Sequence, residues 1–485
     1  MRASGRKNER QTGRKPLSAR LIGHVKLEAR ADGTLSARFD HEAVGLGRFN
    51  AGASARAKGL RAGLPLSSFV RERTGTEKEI QRLVRRLAAH GLLEWCLGGA
   101  RHGKADVIIE PQLPDYWPRV APLHASDILV LSRFAYLRRR GSDLVLESPR
   151  AGALFRICNP RLASAVALLV APRRLRELRR QDGFEDAELC GLLLDCQILF
   201  KLDPERTDAL RSAEGDDNLV LWDFHDLLFH ARSMEGRHAN PQGGLYSHAG
   251  VIPPLPGVRP RWPGKKIALR KFSAARPQPI SPFAKLLRER HSTRVFDDQR
   301  PITIAELARI LDATARAQST WSSKDTGTAT EYAARPYPSG GASYPLELYL
   351  AVHKCEGLEP GFYHYDAGSH SVVPISVPAQ QLEALVRGAQ FAMGAPGLPQ
   401  VVITIAARFG RVAWKYSGLA YALILKDAGV LMQTLYLATT EMGLGGCAIG
   451  TANIDLFAKM TGIEFHIEGP VAQFALGRAG KSHES

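Results

Sequence analysis

The apolar residues in the first quarter of the chain follow a strand period, then a helix period, then a strand period again. Residues 21–27 and 35–39 have strand-like patterns on either side of Asp32-Gly33, which is a hairpin signal. Apolar residues then recur every three or four positions, which predicts a helix with one buried face. Strand patterns return at residues 92–95 and 107–109. This order of strands, helices and a terminal hairpin is typical of a winged helix.

The same order of patterns recurs in residues 125–203. A repeat of this kind predicts two similar domains in series, which we place at residues 21–115 and 116–205. A winged helix in a basic protein normally suggests DNA binding. The expected recognition helix of the second copy, residues 186–197, contains three acidic residues and no Lys or Arg, so its charge opposes contact with phosphate. Docking of a peptide by strand addition fits at least as well, and nucleic acid is not the expected partner.

A connector and a third domain follow the repeat. Residues 206–278 combine a short aromatic-rich helical pattern with a proline-rich stretch, which predicts a linker with a short helix. Strand and helix patterns both continue after it, so residues 279–485 are predicted to form a third domain. The segment 417–438 is apolar around nearly its whole circumference, which predicts a helix buried in the core and at a subunit contact. Lys426-Asp427 near its centre argues against a membrane span.

The charge of the chain limits the kinds of partner. Its 485 residues carry a net charge of +17 with a pI near 9.8, so an anionic partner is expected, whether a phosphate-bearing cofactor, an acidic peptide or nucleic acid. Residues 1–20 hold seven Lys or Arg and one Glu, which is typical of a disordered basic arm, and they lack the apolar segment of a secretory signal. The six cysteines are scattered, so no metal site is expected and a reducing, cytoplasmic location is predicted.

The first stretch with candidate chemistry is the pentapeptide Arg290-His-Ser-Thr-Arg294. Ser281-Pro282 before it has the residue types of a helix N-cap and first helical position. The helix is expected to deliver Arg290, to break near His291-Ser292 and to return with Arg294, so that both guanidiniums point to one ligand. Guanidinium groups bind phosphate and flat polar ring edges bidentately, but surface helices also often end in arginines.

Three further stretches follow in order. In Pro338-Ser-Gly-Gly341 the glycines permit positive φ and a close backbone approach to a ligand, and Ser339 can hydrogen bond to a planar ring. Lys415-Tyr416 is placed at the entrance of the long helix. The stretch from Gly443 to Gly450 is expected to end that helix and to supply bare backbone N–H groups to a flavin edge or a phosphate. Its spacing and context are not those of a Rossmann fold.

Residues 281–480, with these four stretches in order, resemble the FMN-binding nitroreductase superfamily and, within it, the SagB-type thiazoline/oxazoline dehydrogenases. The resemblance implies an α+β sheet sandwiched by helices, a homodimer with FMN at its interface, and winged-helix peptide-clamp domains in front. It implies that Lys415 and Tyr416 are catalytic. It also implies FMN contacts by residues of the other three stretches and of the last strand: Arg290, His291, Ser292, Arg294, Pro338, Ser339, Gly340, Gly341, Gly445, Gly446, Ile449, Gly450 and Arg478.

The function implied is oxidation of peptide thiazolines or oxazolines to azoles in ribosomal peptide natural product biosynthesis. A cyclodehydratase would make the substrate, and Lys415 and Tyr416 are the candidates for proton abstraction and its electrostatic support. Two alternatives remain open. An NAD(P)H-dependent nitro- or quinone reductase would need an open flavin face and no peptide-binding domains. A winged-helix regulator with a flavin sensor domain would bind specific duplex DNA even at about 0.2 M salt.

Overall fold

The computed structural model of the chain describes residues 17–39, 42–66, 75–98, 105–114, 116–178, 187–203, 214, 216–239, 242–273, 279–324 and 327–480. The described residues up to 239 form one compact unit, called the N-terminal unit below. Those from 242 onward form a second, the C-terminal unit.

The N-terminal unit contains two successive sets of strands and helices. The first set is β1 (Leu17–Leu21), β2 (Lys26–Ala29), β3 (Thr34–Phe39), β4 (Glu42–Arg48), α1 (Ala51–Ala57), β5 (Leu64–Pro65), α2 (Gly75–Ala89), β6 (Leu93–Leu97) and β7 (Val107–Pro111). The second set is β8 (Ile128–Leu131), β9 (Tyr136–Arg140), β10 (Asp143–Glu147), β11 (Ala153–Ile157), α3 (Pro160–Ala167), β12 (Arg173–Arg174), α4 (Leu175–Leu178), α5 (Ala187–Asp195) and β13 (Leu199–Leu202).

The two sets have the same connectivity. In the first set β1 lies between β5 and β6, and in the second β8 lies between β12 and β13. Three consecutive strands, β2-β3-β4 and β9-β10-β11, pair in chain order in each set. The next helix begins at an asparagine N-cap in both, because Asn50 accepts from the Ala53 N–H and Asn159 from the Arg161 N–H. The predicted order of elements is therefore present in both copies.

One sheet runs through both copies, which the prediction of two domains in series did not include. The antiparallel pairing of β7 with β11 joins them in a seven-stranded sheet of order β5-β1-β6-β7-β11-β10-β9. A single apolar core also extends through both copies, with Trp95 and Phe155 fully buried in it. The predicted boundary between residues 115 and 116 therefore does not separate two independent sheets.

The structure also moves two predicted boundaries. The basic arm was predicted to end at residue 20, but residues 17–20 belong to β1, where Leu17, Ala19 and Leu21 are buried. Residues 1–16 of that arm lie outside the described residues. The predicted linker 206–278 begins too early, because α6 (Asp217–Val220) and α7 (Phe224–Ser233) belong to the N-terminal unit. Residues 242–269 are described without helix or strand and are largely exposed.

The C-terminal unit is a six-stranded sheet between helices, as predicted. Its helices are α8 (Arg270–Ser273), α9 (Pro282–Glu289), α10 (Ile304–Ala315), α11 (Ala379–Met393), α12 (Gly410–Ala413), α13 (Ala420–Glu441) and α14 (Ile454–Thr461). Its strands are β14 (Ser319–Ser323), β15 (Thr330–Ala334), β16 (Leu346–Val352), β17 (Gly361–Asp366), β18 (Ser371–Ile375), β19 (Val401–Arg408), β20 (Gly445–Ile449) and β21 (Glu468–Gly477).

The sheet order β18-β17-β16-β19-β21-β20 places the Gly-rich strand β20 at an edge. Side chains alternate between the two faces of the sheet. Those of one face pack against α11 and α14, while α10 and α13 pack together on the other. Strands β14 and β15 form a separate hairpin. No helix among the described residues is long and apolar enough to cross a membrane.

Candidate active site

Helix α9, which precedes the pentapeptide, begins as predicted, but the pentapeptide itself does not return to a helix. Ser281 is the N-cap, and its hydroxyl accepts from the Ala284 N–H. The helix ends at Glu289, and Arg290 has extended ψ. The predicted return to helix at Arg294 is wrong, since residues 291–295 have no helical turn. Arg290 and Arg294 therefore share no helical face, and their joint contact with one ligand stays a prediction.

Tyr436, on α13, connects the pentapeptide to the Gly-rich strand. Its hydroxyl lies 2.7 Å from the Ser292 hydroxyl and accepts a 2.8 Å hydrogen bond from the Ala448 N–H. The Arg290 guanidinium stands 5.0 Å from the centre of the Tyr436 ring, within the range of a cation–π contact. No described residue accepts a hydrogen bond from that guanidinium, so its N–H groups are available to a ligand. Tyr436 could not be singled out from the sequence, where its only signal was a hydroxyl in an apolar helix.

The Gly-rich stretch forms the edge strand β20, and part of its outer edge is occupied by protein groups, while its contact with a ligand stays a prediction. On its outer edge the Gly446 carbonyl accepts from the Thr293 N–H at 2.8 Å, and the Ala448 N–H is used by Tyr436. A Cβ on Gly445 would lie 2.6 Å from the Thr293 side chain, and one on Gly446 would lie 2.4 Å from the Phe474 ring. These two glycines therefore make room for protein side chains.

Five further residues of the predicted cofactor set have other surroundings. Arg294 donates its Nε–H to the Met393 carbonyl at 3.0 Å, at the end of α11. Arg478 donates to both carboxylate oxygens of Glu306 at 2.8 Å. Burial of Glu306 opposes ionisation, but hydrogen bonds from Thr303 and Arg478 hold the pKa of this carboxyl below its ordinary value. His291 is exposed, with Nδ1 2.9 Å from the Glu289 carbonyl; Ile449 is buried, and Gly450 is exposed.

The Pro-Ser-Gly-Gly loop is fixed to the long helix by Asp427. The Ser339 hydroxyl donates to the Asp427 carboxylate at 2.6 Å, and the Gly340 N–H donates to it at 3.2 Å. The Tyr344 N–H in turn donates to the Ser339 hydroxyl at 2.9 Å, which closes the loop, while Pro338 is exposed. Burial raises the pKa of Asp427, and the two hydrogen bonds act against that rise. In the sequence, Asp427 argued only against a membrane span. Its role in holding the Ser339-Gly340 loop could not be inferred there.

Lys415 and Tyr416 meet the same loop at Gly341. They lie between α12 and α13 and not in the long helix, which begins at Ala420, so the prediction placed its start too early. The Lys415 ammonium donates to the Gly341 carbonyl at 3.2 Å. Gly341 has φ +60°, and a Cβ there would lie 2.2 Å from the Tyr416 hydroxyl and 2.7 Å from Lys415 Nζ. Only glycine fits between these two side chains and the backbone.

The four stretches thus form two clusters along one helix. The Tyr436 cluster consists of Arg290, Ser292, Thr293, Tyr436 and β20. The Asp427 cluster consists of Ser339, Gly340, Gly341, Lys415, Tyr416 and Asp427. At 1.5 Å rise per residue, Asp427 and Tyr436 are about 14 Å apart along α13. Among the described residues, no group of three His, Cys, Asp or Glu side chains is placed to hold a metal ion.

Comparison with known proteins identifies two segments. The model of the nitroreductase family matches residues 287–478, and that of the cyanobactin oxidase ThcOx matches residues 129–239. The microcin B17-processing protein McbC of Escherichia coli is 28% identical over 34% of this chain. The trifolitoxin-processing protein TfxB of Rhizobium leguminosarum bv. trifolii is 25% identical over 32% of it. The matches span 58% of McbC and 42% of TfxB.

A third relative has a higher identity and a larger matched share of its own length. MJ1384, a nitroreductase-family protein of Methanocaldococcus jannaschii, is 30% identical over 167 residues, which are 34% of this chain and 76% of the relative. The predicted resemblance to this superfamily is confirmed by these matches. The chain therefore belongs to the nitroreductase family.

Proposed function

We propose that this protein is an FMN-dependent dehydrogenase that oxidises thiazoline or oxazoline rings in a ribosomally made peptide to thiazoles or oxazoles. Support comes from two separate parts of the chain. The C-terminal unit has the nitroreductase match, and the repeat before it has the cyanobactin oxidase match. Two relatives are named as processing proteins, one of microcin B17 and one of trifolitoxin. A simple nitro- or quinone reductase would not need the segment that the cyanobactin oxidase model matches.

The chemistry of the two clusters fits FMN. The Arg290 guanidinium has no acceptor among the described residues, and a phosphate is its natural bidentate partner. Ser292 offers a hydroxyl beside it. In the other cluster, Gly341 at positive φ allows a planar ring to approach the backbone next to Lys415 and Tyr416. We assign the phosphate to the Tyr436 cluster and the ring to the Asp427 cluster.

The contact of Lys415 and Tyr416 at Gly341 is the observation that carries the proposal. FMN, when bound, supplies an acceptor for the hydride that leaves the azoline ring. The ring must also lose a proton, and the Tyr416 hydroxyl is the group proposed to take part in that transfer. Lys415 Nζ lies 5.4 Å from the centre of the Tyr416 ring, so its positive charge supports negative charge that develops there. General acid–base help of this kind contributes about 10²–10⁴-fold.

The proposed partners follow from the substrate. A cyclodehydratase makes the azoline rings, and the leader segment of the precursor peptide docks on the repeated N-terminal unit. Because the precursor is made by ribosomes, we place the reaction in the cytoplasm.

We further propose a homodimer that shares the C-terminal unit. Large apolar side chains on the elements that form both clusters are exposed in the single chain. Phe283 and Leu287 on α9 are 61% and 44% exposed, and Trp414 beside Lys415 is 52% exposed. Exposed large apolar side chains next to a binding site are typical of a subunit interface, and a second copy is the proposed occupant. Light scattering would find a dimer, and Phe283→Glu would shift it toward monomer.

The test of the proposal compares three purified proteins on one heterocyclised peptide. Wild type is expected to remove two hydrogen atoms from each azoline ring, as read by mass spectrometry. Lys415→Ala and Tyr416→Phe are expected to keep bound FMN but to lose azole formation. Full activity in either variant would remove that residue from the mechanism. Rapid flavin reduction by NADPH, without peptide oxidation by wild type, would favour the reductase instead.

A further inference from the structure

The hairpin of β14 and β15 stands outside the six-stranded sheet. It lies between α10 and the Pro-Ser-Gly-Gly loop in the chain, and it pairs with no other strand in the part of the chain that the structure describes. An isolated two-stranded hairpin is marginally stable in water, so its position depends on contacts with the rest of the unit. Arg411 supplies such a contact, because its guanidinium donates to the Glu331 carbonyl at 2.9 Å and to the Ser343 carbonyl at 3.1 Å. The hairpin is thereby fixed beside the loop that carries Gly341.

The hairpin carries an aromatic pair on the side that faces Lys415. Trp321 and Tyr332 are direct cross-strand partners, with ring centres 5.7 Å apart and planes 19° from parallel. Lys415 Nζ lies 5.4 Å from the centre of the Tyr332 ring. Trp321, Tyr332, Lys415 and Tyr416 therefore form one continuous row. The Trp321 side chain at the outer end of this row is 46% exposed.

We propose that Trp321 and Tyr332 form a platform that holds the substrate peptide at its heterocycle and distinguishes cyclised from uncyclised residues. This inference rests on the proposed function, because it takes the reacting ring to lie beside Lys415. A planar five-membered ring can stack on an exposed indole, whereas an uncyclised Cys, Ser or Thr side chain has no flat face. Trp321 is thus a specificity-determining residue and takes no part in proton or hydride transfer.

Cross-strand aromatic pairs also stabilise hairpins, so a purely structural role of Trp321 must be distinguished from peptide binding. Two variants make this distinction. Trp321→Val keeps a strand-forming residue and removes the flat ring, while Trp321→Phe keeps a ring at the same position. Flavin content and melting temperature of the FMN-loaded full-length protein show whether either variant disturbs the fold.

The decisive readout is binding. Fluorescence anisotropy would compare a labelled peptide that contains one thiazole with the same peptide that contains serine at that position. Wild type is expected to prefer the thiazole peptide. Trp321→Val is expected to reduce that preference about tenfold, on the scale of one aromatic stacking contact, and Trp321→Phe to keep most of it.

Equal preference in wild type and Trp321→Val would overturn the inference, as would equal losses in Trp321→Val and Trp321→Phe. No preference in wild type would overturn it too. Failure of the proposed function is recognised separately, because wild type would then leave an azoline peptide unoxidised whatever it binds. An effect on the KM for that peptide that parallels the effect on binding would support the platform further.

Discussion

Replacement of Gly341 by alanine should lower the stability of the protein modestly and its activity strongly. The residue has φ +60°, which costs an L-residue about 1–2 kcal/mol. For a unit of this size, such a loss lowers the melting temperature by about 2–8 °C. The new Cβ would also lie 2.2 Å from the Tyr416 hydroxyl, where ordinary contact requires about 3.5 Å. The hydroxyl must therefore move by more than about 1 Å, a displacement that can cost about 10²-fold in rate.

Gly340→Ala is the matched control. Its φ is not in the left-handed region, and its Cβ would meet Leu423 at an ordinary 3.5 Å. Both variants keep the Gly340 N–H that Asp427 accepts, so they differ mainly at the Tyr416 contact. Thermal unfolding and azole formation should be measured on both, with flavin content as a check on the site. We expect a loss of about 10²-fold from Gly341→Ala and a clearly smaller loss from Gly340→Ala, because only the first displaces the Tyr416 hydroxyl. Equal activity in the two variants would refute the role given to Tyr416.

Three further predictions concern the same unit. Arg290→Ala should weaken FMN retention about ten- to a hundredfold while the apo fold survives, as charge-assisted hydrogen bonds predict; full flavin occupancy after extensive dialysis would contradict it. Tyr436→Phe leaves the Ala448 N–H without its acceptor, so denaturant unfolding should show a loss of about 1–3 kcal/mol, and an unchanged midpoint would argue against this connection. The folded pKa of Glu306 lies below 4.5, so its stabilising contribution is present above pH 4.5 and is lost as pH falls through the folded value; Glu306→Gln should show a weaker loss of stability on acidification.

Features that depend on local sequence were predicted well. The N-cap at Ser281 is present, because it needs only neighbouring residues. The repeat was also predictable, since the order of apolar periods is a property of the chain itself. Lys415-Tyr416 and the Pro-Ser-Gly-Gly loop were singled out by residue type, and the structure brings them into contact at Gly341.

Features that depend on residues far apart in the sequence were not predicted. Asp427 pairs with Ser339, and Tyr436 pairs with Ser292. Both partners lie far away in the sequence, so the sequence alone did not show that these two polar residues of α13 have structural roles. The stretch from Gly445 to Ile449 has glycines that disfavour a strand, yet it pairs with β21 along its length. The seven-stranded sheet was not predicted either, because its paired strands β7 and β11 come from different copies of the repeat.

Anaerobic mixing of the FMN-loaded protein with an azoline peptide tests the central claim most directly, because it follows the flavin and the peptide in one reaction. We expect the visible flavin absorbance of wild type to bleach, with one azole formed for each flavin reduced, and Tyr416→Phe with full FMN not to bleach. Flavin that stays oxidised with the azoline peptide but bleaches at once with NADPH would contradict the account.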